Sequence, residues 1–136
     1  MRKELSGDDR KLIEYAREAI NRNFDGLYHV VGAALRCRSG NIYTGVNCDG
    51  IHGSCAEFIA VGAAISNGER DFDCIVAVGS RERNNIVVSP CGNCRQMLFE
   101  YSDNIDVIIQ DKDDIFKIGI DELLPYAYKE TWMEDK

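Results

Sequence analysis

The run Cys74-Ile75-Val76-Ala77-Val78-Gly79 most constrains what this chain can fold into. It is continuously apolar and short, the pattern of a strand covered on both faces. Such a strand needs helices packed on either side, and the flanking sequence offers them. Ser6 followed by Asp9 reads as a capping box, and Leu12, Ile13, Ala16, Ala19 and Ile20 then repeat at helical spacing over residues 8–23. Residues 28–36 read as a buried strand that a Ser39-Gly40-Asn41 turn connects to a second strand at 42–47. Residues 54–67 form an apolar helix, and Ser89-Pro90 opens another that runs to about 101, with serine as N-cap and proline at the first helical position. Two strands at 105–110 and 115–118 and a short helix from 121 to 124 complete the order α-β-β-α-β-α-β-β-α. Alternation of this kind predicts an α/β fold, a three-layer α/β/α arrangement around a central five-stranded mixed sheet. No repeat, linker or low-complexity tract divides the chain, so residues 1–136 are expected to form one domain.

The net charge of −7 and the lack of a Lys/Arg block disfavour a long nucleic-acid partner, because gripping phosphates needs a basic surface. Arg81 and Arg83 are only scattered basic positions. No stretch approaches the ~20 apolar residues of a membrane span. The N-terminus turns acidic at once, without an apolar run, so a cytoplasmic location is expected. Six cysteines in such a setting should be reduced; Cys37, Cys48 and Cys74 read as small buried hydrophobes.

The other three cysteines are organised differently. Cys91-Gly92-Asn93-Cys94 is a C-x-x-C on the first turn of a helix, where both sulfurs face one side and the helix terminus favours thiolates. Alone it fits a metal site or a redox dithiol. Cys55 lies at a second helix start, after a possible Ser54 N-cap, and makes a three-ligand set plausible. Three ligands leave zinc one open tetrahedral position, the arrangement of a catalytic site. His52 or His29 offers a possible fourth ligand. Glu57 has two readings, the acid/base of such a site or the last member of a Ser54-x-x-Glu57 capping box. Residues two apart differ by about 200° on a helix, so periodicity alone does not aim Glu57 at a metal held by Cys55.

Cys55-Ala56-Glu57 followed by Ser89-Pro90-Cys91-Gly92-Asn93-Cys94-Arg95-Gln96 resembles the signature of the cytidine deaminase superfamily, C-A-E then P-C-x-x-C. The likeness extends over nearly the whole chain. Within the superfamily, Thr44-Gly45-Val46-Asn47 and Gly119-Ile120-Asp121-Glu122-Leu123-Leu124-Pro125 are similar to the branch that acts on the antibiotic blasticidin S.

The resemblance implies hydrolytic removal of the exocyclic amino group of a free cytosine-type nucleoside. It implies one zinc per subunit, held by Cys55, Cys91 and Cys94, with Glu57 carrying protons. It places Ala56, His29, Asn47 and Asp49 at the substrate. His29 takes the position of a base-stacking phenylalanine, and Asn47-Cys48-Asp49 stands for the ribose-binding N-x-E. Phe58 replaces an arginine common after C-A-E. Arg83 matches an arginine suited to a substrate carboxylate. Tyr128 matches a pocket tyrosine, while Trp132 is expected to pack. Arg95, one turn beyond Cys91, is expected to donate to a thiolate. Small family members form homotetramers, so a homotetramer is expected. A structural zinc module, a thiol redox protein and a polynucleotide deaminase are the competing readings.

Overall fold

The structure, a computed structural model, describes residues 1–79 and 85–130. Helix α1 spans Gly7–Asn23, and strands β1 and β2 span Val31–Cys37 and Ile42–Val46. Helix α2 (Ala56–Ser66), strand β3 (Phe72–Gly79) and the two-residue strand β4 (Val87–Val88) follow. Helix α3 (Gly92–Tyr101), strands β5 (Asp106–Asp111) and β6 (Asp114–Gly119) and helix α4 (Ile120–Leu123) complete the order.

The main sheet runs β2-β1-β3-β5-β6, five strands as the sequence implies, with β4 added beside β3. Only the β3–β5 pair is parallel; β1–β2, β1–β3, β3–β4 and β5–β6 are antiparallel. β1 occupies one edge of β3 along its whole length, so β4 and β5 share the other. β4 was not legible in the sequence, because Val87-Val88 is too short to show a period.

The strand period of two divides the core between the two faces. Ala33, Leu35, Ile75, Ala77 and Val107 meet α2, α3 and α4 through Ala56, Ala60, Ala64, Leu98 and Ile120. Ala34, Cys74, Val76, Val78 and Ile108 meet α1 through Leu12, Ile13, Ala16 and Ile20 on the other face. Both faces of β3 are therefore covered, as its continuous apolar run requires. α2 lies directly on β2: a Cβ at Gly45 would fall 2.5 Å from the Ala60 amide nitrogen and 2.8 Å from the Ala56 carbonyl oxygen. That close approach sets where the first turn of α2 sits relative to the sheet.

Several boundaries differ from the sequence reading. β1 begins at Val31 rather than at residue 28. The amides of Tyr28 and His29 bond to Asp25 and those of Val30 and Val31 to Asn47, so this stretch is held by side chains before the ladder starts. Ser54 is not the N-cap of α2; its backbone pairs with Cys48, and Cys55 takes the cap position. Neither Ser89 nor Pro90 opens α3, whose N-cap is Cys91. Cys37 and Cys74 are buried as expected, but Cys48 is exposed, because it lies in the loop after β2.

The capping box of α1 is present. Ser6 Oγ accepts from the Asp9 amide at 3.1 Å, and Asp9 Oδ2 accepts from the Ser6 amide at 2.9 Å. Asp9 is fully buried and also meets Arg36 and Lys117, each at 2.9 Å. Burial raises its pKa, but the Ser6 amide, Lys117 and Arg36 outweigh it and hold the carboxyl at about 2 instead of 3.8. A depressed carboxylate contributes stability above its unfolded pKa and loses it as pH falls through the folded value. The contribution is about 2 kcal/mol at neutral pH, lost between about pH 4 and pH 2. Urea titrations across that range should show Asp9→Asn less stable by at least this amount at neutral pH, with a flatter acid limb. An acid limb as steep as that of the unmutated protein would assign the acid sensitivity elsewhere.

Candidate metal and active site

Cys55 and Cys91 are N-caps with nearly the same extended backbone, φ −65° and ψ 157° for one and φ −67° and ψ 169° for the other. Cys94 lies on the first turn of α3 and is buried. The ligand atoms of the three cysteines lie within 4.8 Å of one another, and Cys55 Sγ is 3.7 Å from Cys91 Sγ. Tetrahedral zinc with Zn–S bonds near 2.3 Å places its sulfurs about 3.8 Å apart, so the pair already has ligand spacing. Neither His29 nor His52 joins this cluster, and no fourth His, Cys, Asp or Glu does so among the described residues.

Glu57, in the first turn of α2, is 5% exposed. It lines a cavity of about 290 Å³ together with Val31, Asn47, Cys55, Ala56, Val88, Ser89 and Cys91. The helical offset of about 200° does not apply between Cys55 and Glu57, because Cys55 stands outside the helix in extended backbone. A helix-capping role for Glu57 with Ser54 is excluded by the cap at Cys55.

The electrostatics call for a cation. Burial pushes the Glu57 carboxyl upward, opposed by its own amide and by the Cys94 thiol. Burial and the Glu57 charge push Cys94 far above the usual thiol range. Cys55 is also raised by burial, with Cys91 and Glu57 adding to it. Cys91 alone is lowered: burial opposes its ionisation, but the Cys94 and Asn93 amides at the helix start and the two neighbouring thiols outweigh that. A divalent cation would offset most of the negative charge that three thiolates bring together, and soft sulfur donors select zinc among common divalent ions. The donor set fits zinc.

The remaining expected site residues are distributed unevenly. Asn47 and Ala56 line the metal cavity. His29 and Asp49 instead line an open depression of about 580 Å³ with Tyr28, Cys48, Gly50 and Ile51. The two spaces have no described lining residue in common, but Asn47 ties them together: its Nδ2 donates to the Tyr28 carbonyl at 2.5 Å while its Oδ1 accepts from the Val30 and Val31 amides. Arg95 donates to no thiolate. Its Nε bonds the Pro90 carbonyl and its Nη1 the Leu123 carbonyl, each at 2.9 Å, so it braces the entrance of α3 against α4. Tyr128 is exposed, with its hydroxyl on Glu130 and its carbonyl on Gln96 Nε2, and it is absent from the described lining of the cavity. Arg83 and Trp132 lie outside the described residues. Phe58 packs against the core on the α2 side of the sheet. The sequence reading missed Asp25; the Asp25-Gly26 pair, a turn signal, was the available sign of its role.

This arrangement of sulfurs and a buried carboxyl has counterparts. A family model described as the cytidine and deoxycytidylate deaminase zinc-binding region matches residues 6–110. The chain is 39% identical over 132 residues to a blasticidin-S deaminase of Bacillus cereus, covering 91% of this chain and 94% of that protein. It is 36% identical over 137 residues to a cytidine deaminase of Halalkalibacterium halodurans, covering 93% and 99% respectively. The crystal structure of the cytidine deaminase from Bacillus anthracis matches with a TM-score of 0.77 at 25% identity over 93% of each chain. With its model matched across most of the chain and a three-cysteine cluster positioned for metal binding, the chain belongs to the zinc-dependent cytidine and deoxycytidylate deaminase family of hydrolytic enzymes.

Proposed function

We propose that the protein converts a free cytosine nucleoside, cytidine or deoxycytidine, to the uracil nucleoside with release of ammonia. The observation that carries this reading is the buried Glu57 carboxyl in the same cavity as the metal-binding thiols. Cys55, Cys91 and Cys94 would hold one zinc, which when bound supplies Lewis acidity and makes a water more acidic. Three thiolates leave that centre with a formal negative charge, so proton removal needs a neighbouring base. Glu57 takes a proton from the attacking water, delivers it to N3 of the ring, and helps move a proton to the departing amino group at C4. Burial raises its pKa, which suits a group that must both take and return protons. Val31 and Val88 add apolar walls, and the Asn47 and Ala56 positions bound the substrate side.

A second reading is supported by a specific observation: the 39% identity, over nearly the full length, to a protein named blasticidin-S deaminase. The larger outer depression leaves room for the substituents of such a nucleoside antibiotic. A spectrophotometric assay of the zinc-loaded protein on cytidine, deoxycytidine and blasticidin S, side by side, decides between them. Turnover of at least one is expected, and inactivity on all three would remove the nucleoside reading. Net acidity favours small substrates over polynucleotides. A cytoplasmic setting is supported by the need to keep the ligating thiols reduced. A single deaminase domain is supported by the undivided sequence, and its assembly into a homotetramer rests on the family resemblance alone. No helix among the described residues is long and apolar enough to cross a membrane.

A further inference from the structure

The segment between α1 and β1 is clamped by two side chains that proton transfer does not use. Asp25 Oδ1 accepts hydrogen bonds from the amides of Leu27, Tyr28 and His29 at 2.9, 2.8 and 2.8 Å. Its other oxygen, Oδ2, lies 3.0 Å from His29 Nδ1. Asn47 holds the following residues by accepting from the Val30 and Val31 amides at 3.0 and 3.1 Å. The result is a fixed loop that presents the His29 ring to the outer depression.

The hydrogen-bond inventory then sets the chemistry of that ring. The His29, Leu27 and Tyr28 amides hold the Asp25 carboxyl well below the usual carboxylate range, so it is ionised and can only accept. The hydrogen between the two side chains therefore sits on Nδ1, and in the neutral ring Nε2 is left as a bare acceptor. Asp49, on the segment that follows Asn47, is a second acceptor in this lining, and no Lys or Arg is among the described lining residues. The inner cavity of about 290 Å³ lies near the lower end of the range for small-molecule pockets, roughly 300–1,000 Å³. If the base of a nucleoside lies beside Glu57, its sugar has to leave this small cavity, and the depression that Asn47 ties to it is lined by acceptors.

We propose that Asp25 and His29 form a specificity pair, in which Asp25 is a positioning residue that orients His29 so that Nε2 accepts a hydrogen bond from a sugar hydroxyl of the substrate. This rests on the nucleoside reading given above. It predicts a subsite that selects hydrogen-bond donors and disfavours phosphorylated sugars, whose oxygens would face an acceptor and a carboxylate.

The test compares KM and kcat for cytidine, 2′,3′-dideoxycytidine and 5′-deoxycytidine in the unmutated protein, Asp25→Asn, His29→Phe and His29→Gln. Asparagine keeps an acceptor for the three amides but sets an NH₂ against Nδ1, which reverses the tautomer. His29→Phe should raise KM for cytidine about tenfold, the worth of one hydrogen bond, with a much smaller change in kcat, while Asp25→Asn, whose reversed tautomer lets Nε2–H donate to the same hydroxyl, should raise it less. The penalty should vanish for the analogue that lacks the hydroxyl read by His29. Glutamine, with an accepting side-chain oxygen, should recover most of the loss. Equal losses in kcat and KM on all three substrates would show that the pair only folds the loop, and unchanged kinetics would show that it does nothing; either overturns the proposal. If the unmutated protein acts on none of the three, the nucleoside reading falls and the pair's role with it. If it is active and the variants behave like it, only the pair's role falls.

Discussion

Glu57→Gln is expected to lower kcat on the protein's cytosine nucleoside at least about 10³-fold while one zinc per chain stays bound. One positioned acid or base contributes about 10²–10⁴-fold, and Glu57 serves in more than one proton transfer of the same turnover. Glutamine is nearly isosteric, so a side chain only 5% exposed can be replaced without opening a cavity. It cannot, however, take a proton from water or return one to the ring. The metal ligands are untouched, so zinc content measured on the same preparation separates lost chemistry from a lost site. Substrate KM should change far less than kcat, because the carboxyl acts mainly on the way to the transition state. A variant that retains zinc and turns over within tenfold of the parent would remove Glu57 from the mechanism.

Cys94→Ala should abolish stoichiometric zinc binding and, with it, activity. Cys94 is fully buried and is the only one of the three sulfurs within a helix rather than at its cap, so no flexible neighbour can replace it. Zinc bound to the folded state alone stabilises it by mass action, on the order of 4 kcal/mol when free zinc is a thousand times Kd. Stripping zinc with a chelator should therefore lower Tm by on the order of 15 °C for a chain of this size. The Cys94→Ala protein should melt near the stripped parent and no longer respond to added zinc. The sheet and α1 bury their own apolar faces, so the stripped protein should stay folded, unlike a zinc finger. Zinc affinity should also fall as the medium is acidified, since protons compete for thiols that burial raises at Cys55 and Cys94. Elemental analysis and thermal melts check all of this. One equivalent of tightly held zinc in Cys94→Ala would show that the metal sits elsewhere.

Both predictions depend on residues that the motifs and the family resemblance pick out together, whereas the outer part of the site could not be assembled that way. The α1 capping box depends on residues three apart, and the covered strand at 74–79 announces itself by composition, so both were legible. The C-x-x-C pair and Cys55 likewise carry their meaning in spacing and in position at helix starts. What failed were readings that depended on which loop or side chain claims a backbone group, a choice that periodicity does not encode. Ser54 lost the cap because its backbone is engaged with Cys48, and residues 28–30 stayed out of β1 because Asp25 and Asn47 claim amides there. Arg95 was expected at a thiolate, but the carbonyl of Leu123, brought alongside by α4, takes its guanidinium.

Periodicity, capping chemistry and ligand spacing are short-range properties, so the sequence by itself determined the layered fold and a plausible three-cysteine set, while the role of Glu57 beside it came from the family resemblance. Only the tertiary structure decided how Glu57 shares a cavity with those sulfurs, through the extended backbone of Cys55 and the bare Gly45 that lets α2 rest on the sheet. It alone also decided which way the loop before β1 faces. Those outcomes follow from contacts between segments distant in the chain, which no local pattern encodes.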